Sequence, residues 1–116
     1  MQLNHFVGFD PGGVSAFGWA VIQDSSVGLA LLASGTTSNA EQAFAQASAA
    51  CPTPPIAIAV DAPLYWSLSG DRESDKFVRN LVCKLGGSPG TVSHVNSLRG
   101  ACLVQGVLVA NLADRE

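Results

Sequence analysis

Two acidic residues each follow a short apolar segment of the chain. Asp10 follows residues 6–9, and Asp61 follows residues 56–60. Segments of this length and composition are typical of β-strands, and open α/β sheets carry their chemistry at the carboxyl ends of strands. Carboxylate oxygens are hard ligands suited to Mg²⁺ or Mn²⁺. The two residues therefore predict one shared divalent-metal site at the edge of a sheet.

Such a site is suited to phosphodiester hydrolysis, because two metal ions about 4 Å apart activate a water and stabilise the leaving oxygen. A local role is the alternative, since Asp before a turn often bonds to nearby backbone N–H groups. The turn after Asp10 offers a further possibility. Gly12 and Gly13 predict a loop whose N–H groups face a phosphate, as in nucleotide-binding modules of the actin and sugar-kinase type, although Pro11 removes one donor.

The remaining pattern indicates an α/β domain that positions these residues. Three apolar segments joined by short turns predict antiparallel strands. An Ala-rich helix with a cap near Asn39 then leads to a strand without polar alternation, which predicts burial on both faces and parallel pairing. The last helix is apolar nearly all round, which predicts burial. The predicted elements are strands at 3–10, 16–23 and 27–34, a helix ending at 50, a strand at 56–60, and helices at 71–85 and 96–113. Gly86 and Gly87 predict the end of the helix at 71–85.

Basic residues are confined to the second half of the chain. The net charge is −3, no Lys or Arg precedes Arg72, and five basic residues lie between Arg72 and Arg99. Arg72, Lys76 and Arg79 are spaced to share one helix face. We expect Arg72 and Arg79 to contact a substrate phosphate. The alternative is a solvated helix face on which Asp75 pairs with Arg79.

Composition fits a single domain over residues 1–116, with 47% hydrophobic residues. Three cysteines at wide spacing predict buried free thiols in a reducing cytoplasm. No apolar segment approaches the roughly 20 residues that a membrane span needs. Tyr65 and Trp66, which follow Asp61, offer rings for base stacking, and covering the edge of the core is the alternative.

Several short motifs occur in one combination along nearly the whole chain: residues 7–13 and 18–22, residues 60–64, then Arg72, Asp75 and Arg79, residues 96–100, and Gln105 with Gly106. This combination resembles the domain of unknown function 429 family, a group of ribonuclease H-like predicted nucleases. The resemblance implies a ribonuclease H-like mixed sheet of three antiparallel strands followed by a helix, a parallel strand and two helices. It also implies a metal site at Asp10 and Asp61.

The resemblance further implies a strand with an acidic and histidine motif after the last helix, and the chain ends at Glu116. We therefore expect a C-terminally truncated domain without its final strand. The segment from Ile56 to Val60 would then be an open edge, which predicts a homo-oligomer that pairs through it. Glu41 on the first helix is a candidate substitute for the missing third acidic ligand.

The sequence thus predicts a metal-dependent phosphodiesterase or nuclease that acts on nucleic acid or a nucleotide, or an inactive short form of one. Asp10 and Asp61 would bind Mg²⁺ or Mn²⁺. Two alternatives stay open. One is a nucleotide-binding module built on the turn after Asp10, and the other is a self-associating protein without catalysis.

Overall fold

The computed structural model describes residues 3–62, 64, 72–92 and 100–115. These residues form a four-stranded mixed sheet with three α-helices. The elements in chain order are β1 (Asn4–Asp10), β2 (Phe17–Ser25), β3 (Gly28–Thr37), α1 (Ala40–Ala50), β4 (Ala57–Val60), α2 (Glu73–Lys84), a short 3-10 helix (Pro89–Thr91) and α3 (Gly100–Arg115).

The strands lie in the order β3-β2-β1-β4. β1 pairs with β2 and β2 pairs with β3 in antiparallel fashion, which confirms the predicted meander. β4 is parallel to β1, with Phe9 opposite Val60. The parallel direction follows from the chain path, because α1 carries the chain back to the starting end of the sheet.

One face of the sheet carries the core. In β1, His5, Val7 and Phe9 are buried, and the residues between them are not. Strict alternation puts every second side chain on the same face. This face packs against the small residues of α1 and against Val109 of α3, and the buried apolar residues are Val7, Phe9, Phe17, Trp19, Val21, Ala40, Ala43, Ala47 and Val109. The opposite face of β1 carries Phe6, Gly8 and Asp10, and none of them is buried.

Two helix ends follow the predicted signals. Asn39 caps α1, because its side chain accepts a hydrogen bond from the Gln42 N–H at 2.9 Å. Such a cap satisfies one of the N–H groups that the first turn leaves unpaired. After α2, Gly86 adopts a left-handed φ of 85°. A glycine there ends a helix without steric cost.

α2 is formed as predicted, but it does not pack on the sheet in the described part of the chain. It contacts the 3-10 helix, and none of its residues is buried. Phe77 is 71% exposed and Leu81 is 49% exposed. The helix that the amphipathic pattern predicts is therefore present, but its apolar residues Phe77 and Leu81 are exposed.

Three predictions about burial were wrong. In β4, Ala57, Ile58 and Ala59 are exposed because, among the described strands, β4 pairs only with β1. Where the burial of α3 is described, from Cys102 to Arg115, Gly106 and Val109 are buried, whereas Val104 is 59% exposed. The predicted start of α3 at residues 96–99 lies outside the described residues. The cysteines are free as predicted, but Cys83 is exposed and the other two are half-buried.

Candidate metal site

The parallel pairing of β1 and β4 brings Asp10 and Asp61 to one end of the sheet. Phe9 lies opposite Val60, and the Asp61 N–H donates to the Phe9 carbonyl at 2.9 Å. The hydrogen bonds between β1 and β4 therefore continue to Asp61, the first residue beyond β4. Neighbouring strands lie about 4.8 Å apart, so the two acidic residues leave the sheet side by side.

Both carboxylates line a single depression on the sheet face opposite the core. Its volume is about 420 Å³, and Asp10 and Asp61 are both exposed. Four small residues on this face also line it: Gly8, Gly18, Ala20 and Ala59. A Cβ on Gly18, the residue opposite Asp10, would lie 3.6 Å from the Asp10 Cβ. The short side chains leave room for a hydrated cation and a phosphate above the sheet.

Two carboxylates from the protein are enough to bind Mg²⁺. Mg²⁺ usually keeps several waters and binds through one or two carboxylates together with substrate phosphates. No group of three or more His, Cys, Asp or Glu that could hold a metal exists among the described residues. Glu41 lines a different groove, between α1 and α3, together with Arg115. The residues present therefore fit a water-rich magnesium or manganese site.

The turn after Asp10 is closed rather than open. Gly12 is buried, and a Cβ there would collide with the Ala16 carbonyl. The Ala16 N–H donates to the Gly13 carbonyl at 3.0 Å, and Ser15 takes a left-handed φ of 56°. Gly12 thus allows the chain to pass close to Ala16, and it does not present an exposed surface to a phosphate.

The two arginines lie on α2 and in its cap, and neither lines the depression. Arg72 makes two hydrogen bonds to Asp75, at 2.6 and 2.8 Å. Arg79 donates from Nε to the Val92 carbonyl at 3.1 Å. The described structure therefore brings Asp10 and Asp61 together and places Arg72 and Arg79 elsewhere.

The small residues of the depression were not predicted from the sequence. Their spacing along the strands could have indicated them: Gly8 lies two residues before Asp10, and Ala59 lies two residues before Asp61. Alternation along a strand puts each pair on one face. Tyr65 and Trp66, the predicted stacking residues, lie outside the described residues.

Comparison with known proteins supports one assignment. The family model described as "Protein of unknown function (DUF429)" matches residues 8–101, a range that includes Asp10, Asp61, Arg72 and Arg79. No curated protein and no solved structure matches the chain. Within the described residues, no helix is long and apolar enough to cross a membrane. Since the match extends over most of its length, the chain belongs to the DUF429 family.

Proposed function

We propose that this chain is a divalent-metal-dependent phosphodiesterase of the ribonuclease H-like class, acting on nucleic acid or a nucleotide. The observation that carries the proposal is the adjacency of Asp10 and Asp61 at the ends of β1 and β4. The strand order β3-β2-β1-β4, with three antiparallel strands before a parallel fourth, agrees with that class.

In this proposal Asp10 and Asp61 hold the cation, and the small residues beside them admit the substrate. Bound Mg²⁺ or Mn²⁺ would activate a water for attack on phosphorus and stabilise the oxygen that leaves. The exposure of both carboxylates keeps the site open to that water. Gly8 and Ala59 form part of the lining and leave space for the phosphate.

Arg72 and Arg79 are proposed contacts to the substrate phosphate. Their planar guanidinium groups suit phosphate oxygens. In the structure they bind Asp75 and the Val92 carbonyl. A phosphate contact would therefore require these bonds to be shared or exchanged, and α2 would have to approach the depression.

Two further proposals concern partners and location. β4 pairs only with β1 among the described strands, and Ile56 is 59% exposed beside it. An open edge of this kind offers unpaired backbone groups to another strand, so we propose that a second copy pairs there.

The three free cysteines agree with a reducing, cytoplasmic location.

The nucleotide-binding alternative has less support from the structure. An actin-type loop needs accessible backbone N–H groups around the phosphate. Gly12 is buried, and Gly13 takes part in a tight turn with Ala16. A wild type that neither binds Mn²⁺ nor cleaves a substrate in the experiment below would favour the third interpretation, self-association without catalysis.

The experiment is a calorimetric Mn²⁺ titration combined with a nuclease assay on single-stranded and duplex substrates. Removing a residue that only orients a metal ligand already costs about 10–100-fold in metal affinity. Asp10→Asn and Asp61→Asn remove direct ligands, so each should weaken Mn²⁺ binding by about tenfold or more and reduce cleavage. Asp24→Asn, at the far end of β2 opposite Asn4, is the matched control and should bind normally. Unchanged Mn²⁺ affinity in both site variants would refute the proposal.

A further inference from the structure

We infer that Gly106 of α3 is a positioning residue for the two acidic residues. A Cβ at Gly106 would lie 2.6 Å from the Ala62 Cβ and 3.5 Å from the Pro11 Cγ. Pro11 follows Asp10, and Ala62 follows Asp61. A side chain at this one buried position would therefore collide with the residue after Asp61 and touch the residue after Asp10.

The neighbouring residue fixes α3 at a second point. The Gln105 Oε1 accepts a hydrogen bond from the Ala40 N–H at 2.7 Å. Ala40 is the first residue of α1, where backbone N–H groups have no partner within the helix. Gln105 thus bonds to the start of α1, and Gly106 lies against the turns that follow Asp10 and Asp61.

Only glycine allows this approach of α3. A distance of 2.6 Å between two Cβ atoms is far below van der Waals contact, so an alanine would force one partner to move. Val109, less than one turn further along, is fully buried and holds α3 in the core. We therefore expect the turn at Ala62 to move instead of the helix.

A displaced turn would disturb the position of Asp61. The Asp61 N–H donates to the Phe9 carbonyl at 2.9 Å. This bond continues the pairing of β1 with β4 and holds Asp61 beside Asp10. Glycine within a helix costs about 1 kcal/mol relative to alanine. The close contact with the site gives a physical reason for a glycine at this position.

The experiment measures amide hydrogen exchange of Asp61, which needs no metal, and Mn²⁺ affinity beside it. Gly106→Ala should accelerate exchange of the Asp61 N–H by about tenfold or more and weaken Mn²⁺ binding. Adding Ala62→Gly removes the colliding methyl group, so the double variant should recover both values. Val107→Ala changes an exposed neighbour on α3 and should change neither.

A second control separates positioning from stability. Val109→Ala destabilises α3 through the core but leaves the contact with Ala62 intact, so Asp61 exchange should change only through global unfolding. Equal Asp61 exchange in the Gly106→Ala and Val107→Ala variants would overturn the inference, as would a double variant that fails to recover or to fold. The metal readout rests on the proposed function. If the wild type binds no Mn²⁺ while the exchange pattern holds, the proposed function fails and the positioning role stands.

Discussion

The His5 Nδ1 lies 2.7 Å from the Thr53 Oγ1 and joins β1 to the proline-rich segment before β4. The other ring nitrogen lies 3.2 Å from the Gln23 Oε1 on β2, and the His5 carbonyl accepts the Ile56 N–H at 2.9 Å. His5 is 2% exposed. This one residue therefore fixes where β4 begins beside β1, and so which residue of the β4 segment stands beside Asp10.

Thr53→Val should lower the free energy of unfolding by about 1 kcal/mol. Valine has nearly the shape of threonine but lacks the hydroxyl group, so the buried His5 ring loses a hydrogen-bond partner. Urea unfolding followed by circular dichroism measures the change. Thr36→Val, an exposed threonine on β3, is the matched control and should leave stability nearly unchanged. Equal stability of the two variants would mean that the bond between His5 and Thr53 contributes nothing.

Asp75→Asn should destabilise α2 locally. Asp75 receives two charge-assisted bonds from Arg72, and the two side chains are 13% and 17% exposed. Partial exposure limits the pair to about 1 kcal/mol, which corresponds to roughly fivefold faster amide exchange in α2. Glu73→Gln removes an acid from the same first turn, so it reproduces the change in helix-dipole interaction without the ion pair. Similar exchange in both variants would assign the effect to the dipole alone.

The sequence was sufficient wherever local chemistry determines the structure. The cap at Asn39 and the stop at Gly86 were predictable because each depends on a few neighbouring residues. Asp10 and Asp61 were predictable as a pair because strand ends and a crossover helix place them. The exposure of α2 was not predictable, since its amphipathic pattern is the same whether or not a partner surface covers it.

The environment of the site was harder to predict than its carboxylates. Contact between Gly106 and Ala62 joins residues 44 positions apart, and nothing local in the sequence signals such a pairing. The enclosed turn at Gly12 was likewise hidden, because an exposed phosphate loop and a tight turn favour the same residue type. Long-range packing determined both outcomes.

If a second copy pairs along β4, Ile58→Lys should dissociate the oligomer, because a charged side chain on an edge strand opposes strand addition. Ile58 is 38% exposed, so a lysine can reach solvent there. Sedimentation velocity over a concentration series is the measurement. Leu81→Lys is the matched control, since it alters the exposed apolar side of α2 instead. A monomeric wild type would contradict the proposal, and dissociation by Leu81→Lys alone would assign the contact to α2.

Glu41→Gln should leave Mn²⁺ affinity unchanged, although a carboxylate on the first helix was a candidate third ligand. Glu41 lines a groove between α1 and α3, whereas Asp10 and Asp61 line the depression on the opposite face of the sheet. A side chain cannot reach through a packed core to the other face. The Mn²⁺ titration used for Asp10→Asn measures this directly. An affinity loss for Glu41→Gln as large as that for Asp10→Asn would mean that the cation lies on the helix-covered side of the sheet.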